Sequence, residues 1–172
     1  MNEILKCIET RRSVKKFRPD MPKKEDVESV VNAGLLAASG RNRQTAVIIA
    51  ISDKAVRDRI AAQNASILGS DADPFYGAPV IIAVIAKKDG NTYVNDGSLA
   101  LGNMMLAAHS LGLGSCWIHR AKETFDLPEW REFIKSLGLE GEYEGIGHLA
   151  LGYLDGEYPN KNERLPNRAF FI

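Results

Sequence analysis

The stretch DGSLALGNMMLAAHSLGLGSCWI, residues 96–118, decides how the rest of the chain is interpreted. Residues 96–111 predict a long helix that is apolar on nearly every side, so other elements or a second subunit must enclose it. Gly112-Leu113-Gly114 predicts the end of this helix, and residues 115–118 predict a short strand. These glycines do not form a dinucleotide-binding fingerprint, because they follow a helix and Trp117 stands where a third glycine is required.

The segments on either side of this stretch predict a fold that contains both helices and strands. The predicted helices begin near Asn2 and cover Lys23–Ala38, Asp53–Asn64 and Pro128–Leu137; the predicted strands cover Ala46–Ile51, Pro79–Ala86 and Ile146–Leu154. The second helix should bury one apolar stripe, formed by Val27, Val30, Val31, Leu35 and Leu36. This order of elements predicts a mixed α/β or α+β fold with a central sheet of about four or five strands.

Length and composition narrow the class of protein. The 172 residues suit a single domain, spanning 1–172. Lysines and arginines number 22, as do aspartates and glutamates, so the net charge of zero argues against a nucleic-acid-binding protein. No apolar run approaches the ~20 residues of a membrane span. With two distant cysteines and no metal-ligand spacing among three histidines, we expect a reduced, cytoplasmic protein with no membrane partner and no metal site.

Two polar segments are candidates for ligand binding. Arg11, Ser13 and Lys15 alternate along an extended segment, which places them on one side where they could hold a phosphate; a solvated basic loop is the alternative. Asn42 and Gln44 could bind the edge of a heterocycle, although amides in an ordinary loop also bond the local backbone. Hydrolase, kinase and metalloprotease motifs are absent. This favours a protein whose chemistry is supplied by a bound cofactor.

Five segments, in order along the chain, carry a resemblance to a known family. They are Ile8–Phe17, which contains an Arg-x-Ser-x-Lys-x-Phe pattern, Ser39–Gln44, Tyr76–Val80, Asn103–Ile118 and Leu151–Tyr153. Together they resemble the nitroreductase family of FMN-dependent flavoproteins. The resemblance implies an α+β fold with a central mixed sheet of about four to five strands flanked by helices, in an intertwined homodimer with FMN at the subunit interface.

The resemblance also implies a function. We expect an oxidoreductase in which NADH or NADPH reduces FMN at its N5 position and a small acceptor, such as a nitroaromatic or a quinone, is reduced next in a ping-pong scheme. No protein side chain is then expected to be catalytic, since the flavin carries the chemistry. Two alternatives remain open: an enzyme of this fold with other chemistry, such as dehalogenation or dehydrogenation, and a flavin-binding protein without turnover.

The resemblance assigns FMN-binding roles residue by residue. Phosphate ligands are expected in the Arg11-Arg12-Ser13 segment, and Lys15 is expected at the pyrimidine side of the ring. Ser39, Asn42 and Gln44 would close on the flavin from the partner subunit. The remaining expected contacts are Asn64 near the ring, the Trp117-Ile118-His119 backbone at the reactive edge, and a tail arginine on the phosphate, for which Arg168 is the first choice and Arg164 the second.

The chain also departs from the family pattern near the expected ring. Thr45 and Ala46 stand where relatives usually have a proline and an aromatic residue. His119 and Arg120 replace an acidic residue and a glycine at the expected N5 edge. These departures leave open the electron acceptor and the choice between NADH and NADPH.

Overall fold

The fold is a four-stranded antiparallel sheet between two layers of helices. The computed structural model describes all 172 residues. The strands are β1 (Ala46–Ile51), β2 (Val80–Lys87), β3 (Gly114–Ile118) and β4 (Tyr143–Gly152), in the spatial order β1-β2-β4-β3. The helices are α1 (Glu3–Thr10), α2 (Lys24–Leu35), α3 (Lys54–Leu68), α4 (Tyr93–Ser110), α5 (Ala121–Phe125) and α6 (Pro128–Ser136).

The predicted α+β fold and the number of strands are confirmed, but the pairing differs from the expected mixed sheet. All three strand pairs are antiparallel. The segment after α3 brings the chain back to the end of β1, so Ile51 lies opposite Ile81 and β2 runs in the reverse direction. The one parallel pairing is an isolated bridge between Ser13 and Ser115.

The central strand β2 separates two apolar cores. Its residues from Val80 to Ala86 are all buried, and successive side chains point to opposite faces of the sheet. Ile81, Ala83 and Ile85 pack in the core that α3, α5 and α6 cover. The alternate residues of β2 pack in the other core, which α2 and α4 cover; they are Val80, Ile82, Val84 and Ala86. A strand buried on both faces explains why this segment is continuously apolar.

The helices lie close to their predicted positions, but fewer of their apolar side chains are buried than the sequence predicts. In α2 only Val30 of the predicted stripe is fully buried, whereas Leu35 and Leu36 are 58% and 83% exposed. α4 buries Leu101, Met104 and Ala108 against the sheet, but its opposite face is not enclosed within the chain. Helix α5 was not predicted, since five residues are too few to establish a helical period.

Cys7 and Cys116 are free thiols. No helix is long and apolar enough to cross a bilayer.

Candidate functional site

A cavity of about 780 Å³ lies between the segment after α1, strand β3 and the C-terminal tail. It brings together six of the predicted cofactor-binding residues, namely Arg11, Arg12, Ser13, Lys15, Trp117 and Arg164. Cys116 and the tail residues 159–162 complete the lining. A volume of this size lies within the range of small-molecule and cofactor sites.

The basic segment is held against β3 as an extended strand. The backbone N–H of Val14 donates to the carbonyl of Ser115 at 3.0 Å. Val14 is fully buried, and a Cβ at Gly114 would lie 2.9 Å from its side chain. Because side chains alternate along a strand, the burial of Val14 directs Ser13 and Lys15 away from the core. This local structure accounts for the predicted row of polar groups.

Two guanidinium groups in this cavity have donors that no protein acceptor satisfies. Arg11 Nη1 and Arg12 Nε are buried and have no hydrogen-bond partner. Arg12 uses Nη1 for the carbonyls of Glu9 and Arg11, each at 2.8 Å. An unpaired buried donor is costly, and arginine forks match phosphate and carboxylate oxygens. With the Ser13 hydroxyl at the same cavity, this donor set fits a phosphate group.

Lys15 lies beside an aromatic ring at the other end of the segment. Its Nζ lies 5.8 Å from the centroid of the Tyr76 ring. Tyr76 has a left-handed backbone with φ of 56°. Asp73 holds this turn, since its carboxylate accepts from the backbone N–H groups of Phe75 at 2.8 Å and Gly77 at 2.9 Å. The strained turn thus brings the aromatic ring next to the lysine.

Cys116 is a thiol rather than a thiolate at neutral pH. Burial raises its pKa, and this effect is opposed by the Lys15 charge, the Ser13 hydroxyl and the Arg11 charge. The cysteine therefore adds no negative charge to the cavity.

The tail contributes a different arginine from the one that was preferred. Arg164 lines the cavity, whereas Arg168 is exposed and donates to the carbonyl of Leu165 at 3.2 Å, within the tail itself. The order of preference between the two arginines is therefore reversed. Both arginines lie in the same tail, and the sequence does not show which of them reaches the phosphate site.

The loop that carries Ser39, Asn42 and Gln44 lies outside this cavity. Asn42 and Gln44 are exposed, with φ of 54° and 51°, and Gln44 Nε2 donates to Asn42 Oδ1 at 3.2 Å. The loop is fixed by Asp96 in α4, whose carboxylate accepts from Gly40 N–H and the Thr45 hydroxyl, each at 2.9 Å. This placement is compatible with a loop that acts on a second subunit.

The turn after β3 is fixed by a buried amide. Asn64 is fully buried; its Nδ2 donates to the His119 carbonyl at 2.9 Å, and its Oδ1 accepts from Arg120 Nε at 3.0 Å. Each half of the amide bonds to this turn, and the side chain is not exposed, so Asn64 orients the turn rather than presenting its amide at the surface. Ile118 is buried and His119 is exposed. Arg120 has φ of 69°.

A glycine lets strand β4 approach this turn. A Cβ at Gly145 would lie 2.1 Å from the carbonyl oxygen of Ala121, a distance that no backbone adjustment of a few tenths of an ångström could relieve. Gly145 is thus required by the close packing of β4 on the start of α5.

A family model described as the nitroreductase family matches residues 8–153. The chain belongs to the nitroreductase family. This family member is 31% identical to a protein of Archaeoglobus fulgidus that carries the provisional name NADH dehydrogenase/NAD(P)H nitroreductase. The match covers 89% of this chain and 86% of that protein. It is 25% identical over 98% of its length to the FMN reductase, NAD(P)H, of Bacillus subtilis, of which 72% is covered.

Solved structures agree with the fold of this nitroreductase family member. The crystal structure of a Bacteroides fragilis nitroreductase with bound FMN has a TM-score of 0.90 and 27% identity, with 100% of both chains covered. The resemblance inferred from the five segments is therefore confirmed at the level of family and fold.

Sequence reasoning missed three residues that shape the site, and each is a positioning residue. Asp96 fixes the loop at Ser39, Asp73 fixes the turn at Tyr76, and Tyr158 contacts the backbone of Arg12. An acidic residue in the first turn of an apolar helix was a visible signal for Asp96. Asp73 bonds backbone N–H groups two and four residues ahead, a local pattern typical of aspartate in turns. The Tyr158 contact joins residues 146 positions apart, and a single sequence does not reveal it.

Proposed function

We propose that this protein is an FMN-dependent oxidoreductase that passes electrons from NADH or NADPH to a small organic acceptor. The observation that carries the proposal is that Arg11, Ser13, Lys15 and Arg164 line one cavity of cofactor size, where the guanidinium groups of Arg11 and Arg12 each have a buried donor without a protein acceptor. The FMN-bound relative and the relative named as an FMN reductase support the same cofactor. Residues 1–172 would form a single domain of this enzyme.

The protein would hold FMN chiefly through its phosphate. Arg11 supplies a planar fork, Ser13 supplies a hydroxyl donor, and Arg164 adds a third group from the tail. Lys15 would place an ammonium at the pyrimidine side of the ring. FMN, when bound, would supply the hydride-accepting centre at N5. The side chains would bind and orient it, and the protons that acceptor reduction consumes would come from solvent.

The reactive edge would face the turn after β3. Asn64 fixes the His119 carbonyl and the Arg120 side chain, so the backbone at the ring edge is rigid before cofactor binds. Arg120 then carries a positive charge where a glycine is usual in the family. We propose that NAD(P)H and the acceptor bind in turn over the same ring face, and that this charge favours acceptors with anionic or electron-rich groups.

A second copy of the chain would complete the site. The loop with Ser39, Asn42 and Gln44 lies away from its own cavity. The exposed amides of Asn42 and Gln44 share one hydrogen bond and keep further donors and acceptors for a ring in a neighbouring subunit. A homodimer with two equivalent sites follows from this arrangement.

The cofactor assignment can be tested on purified protein. We expect a visible flavin spectrum, and chromatography of the released cofactor should identify FMN. Arg11→Gln should raise the FMN dissociation constant about 10- to 100-fold, since a charge-assisted hydrogen bond to a phosphate is lost. Arg18→Gln is the matched control, because Arg18 pairs with Asp20 outside the cavity. Release of FAD, or no flavin uptake on reconstitution, would refute the proposal.

Reduction by nicotinamide cofactors tests whether the protein is an enzyme. Anaerobic NADH or NADPH should bleach the flavin absorption, and addition of a quinone or a nitroaromatic should restore it. A bound flavin that neither cofactor bleaches would indicate a flavin-binding protein without this turnover.

A further inference from the structure

The tail that contributes Arg164 is attached to the rest of the protein at very few points. Beyond Asp155, whose N–H donates to the carbonyl of Lys16, no tail backbone group bonds to the rest of the protein. Two side chains provide its hydrogen bonds and ion pairs to the rest of the protein. Lys161 pairs with Glu9 at 2.9 Å, with both partners about half exposed, and such surface pairs contribute little. The other attachment is Tyr158.

Tyr158 contacts two segments that border the cavity. Its hydroxyl accepts from the backbone N–H of Arg12 at 2.8 Å and lies 3.1 Å from His109 Nδ1. Its ring stacks on the His109 imidazole, with centroids 5.6 Å apart and planes 22° apart. We call the contact between Tyr158, His109 and the Arg12 backbone the tail latch.

In the neutral form of His109, which burial favours by lowering the pKa of the imidazole, one set of hydrogen-bond directions satisfies every donor of the tail latch. The Thr10 hydroxyl lies 2.7 Å from the Lys6 carbonyl, donates its one proton there, and accepts from His109 Nε2 at 2.8 Å. His109 Nδ1 is then the unprotonated nitrogen and accepts from the Tyr158 hydroxyl. The hydroxyl oxygen remains free to accept from Arg12 N–H. Every donor in the tail latch has an acceptor, which indicates a built contact rather than a chance approach.

The tail latch joins the two parts of the predicted phosphate grip. On one side it fixes the backbone of Arg12, between Arg11 and Ser13. On the other side it fixes the tail six residues before Arg164. We propose that Tyr158 and His109 are positioning residues which close the tail over the phosphate site and place Arg164 there, so that they control FMN retention. This inference rests on the proposed FMN function.

A double-mutant cycle tests the proposal on the FMN-loaded, full-length protein. Tyr158→Phe keeps the stacked ring and removes both hydrogen bonds of the hydroxyl. We expect the FMN dissociation constant to rise about 10-fold. Arg164→Gln should weaken FMN binding in the wild-type background and have little further effect in Tyr158→Phe, because Arg164 is no longer held at the site.

Tyr143→Phe is the matched control, since the Tyr143 hydroxyl makes no hydrogen bond in the protein and lies outside the cavity. It should leave FMN affinity unchanged. A second readout reports the tail latch directly: the Arg12 amide proton bonds only to Tyr158, so its hydrogen-exchange protection, measured by NMR, should fall in Tyr158→Phe and persist in Tyr143→Phe.

The outcomes separate this inference from the cofactor assignment. If the wild-type protein binds no FMN, the proposed function itself fails. If it binds FMN but the effects of Tyr158→Phe and Arg164→Gln multiply, or Arg12 exchange is unchanged in Tyr158→Phe, the tail latch does not position Arg164 and the inference is overturned.

Discussion

Lys15 is the residue through which the protein would tune its cofactor. It has no carboxylate partner and lies 5.8 Å from the Tyr76 ring centroid. Its ammonium would stabilise negative charge that develops on the pyrimidine side of the flavin on reduction, at about 1–3 kcal/mol for an effective dielectric near 20. Lys15→Met should therefore lower the two-electron midpoint potential by roughly 20–65 mV, as measured by redox titration, and slow reduction by NAD(P)H.

Lys16→Met provides the control for this change. Lys16 is the next residue, but it pairs with Asp155 on the exposed surface at 2.9 Å. Lys16→Met should leave the midpoint potential unchanged. Both variants should retain FMN because Arg11 and Ser13 remain. Equal potentials for Lys15→Met and wild type would show that the ammonium does not reach the flavin.

His148 makes stability depend on pH. It is fully buried between Phe75 and Phe125, with ring centroids 5.3 and 5.8 Å away, and neither ring nitrogen has a hydrogen-bond partner. Burial lowers the pKa of His148 to about 3, an effect to which the Arg120 charge adds and which the backbone of His119 opposes. The folded state thus holds a neutral imidazole, whereas the unfolded chain binds a proton near pH 6.5.

This residue should therefore destabilise the fold as the pH falls. Its stabilising contribution is complete above about pH 6.5 and decreases by up to ~1.4 kcal/mol per pH unit on the way to pH 3. Between pH 7 and pH 5 we expect the wild type to lose about 2 kcal/mol more free energy of unfolding than His148→Leu. Urea denaturation at the two pH values measures this difference. Parallel losses in the two proteins would contradict a buried neutral histidine.

At the scale of elements, Asp96 connects helix α4 to the loop at residues 39–45. Its buried carboxylate accepts from Gly40 N–H and the Thr45 hydroxyl. In Asp96→Asn the remaining oxygen can accept from Gly40 N–H and the new NH₂ group can donate to the Thr45 hydroxyl, but both hydrogen bonds lose the carboxylate charge that strengthens them. We expect a loss of about 1–3 kcal/mol in the free energy of unfolding, and weaker FMN binding because the loop would close the partner's site.

The control is Asp20→Asn, which alters an exposed pair with Arg18 and should change stability by under ~0.5 kcal/mol. Denaturant melts and FMN titrations of both variants decide the point. Unchanged stability in Asp96→Asn would mean that the loop is held by other contacts.

The helices and strands were largely predictable from the sequence, but the contacts between residues far apart in the chain were not. Strand β1 was predicted with its observed bounds, and β2 to within one residue at each end, because long apolar, β-branched runs have few other interpretations. The placement of Arg11, Ser13 and Lys15 on one side of an extended segment was predicted from the two-residue period of a strand. Asp96 and Tyr158 act through contacts 51 or more residues away, and such contacts leave no periodic signal.

The burial of α2 was mispredicted for a related reason. A helical stripe shows which side is apolar but not what covers it. Leu35 and Leu36 belong to the apolar side and remain exposed on this chain. Their exposure is therefore informative at the scale of the whole molecule.

The whole molecule exposes more apolar surface than one chain can cover. The large hydrophobic side chains at least half exposed include Ile4, Leu5 and Ile8 of α1, Leu35 and Leu36 at the end of α2, Leu99 of α4, and Phe170, Phe171 and Ile172 at the C-terminus. Extended apolar patches on a folded chain mark interaction surfaces. Because α2 and α4 cover the same face of the sheet, their exposed residues favour one shared interface with a second copy.

A homodimer gives a specific expected outcome. Light scattering of the purified protein should yield twice the chain mass of 18.9 kDa. Leu36→Glu places a charge in the predicted interface and should shift the equilibrium toward the monomer. Leu137→Glu is the matched control, since Leu137 is 48% exposed at the end of α6, in the opposite helical layer. Because the loop at Ser39–Gln44 would bind the partner's flavin, Leu36→Glu should also release FMN in proportion to the monomer formed. A wild-type mass of 18.9 kDa in dilute neutral buffer, or monomeric Leu36→Glu that retains FMN at wild-type affinity, would contradict a site completed by two subunits.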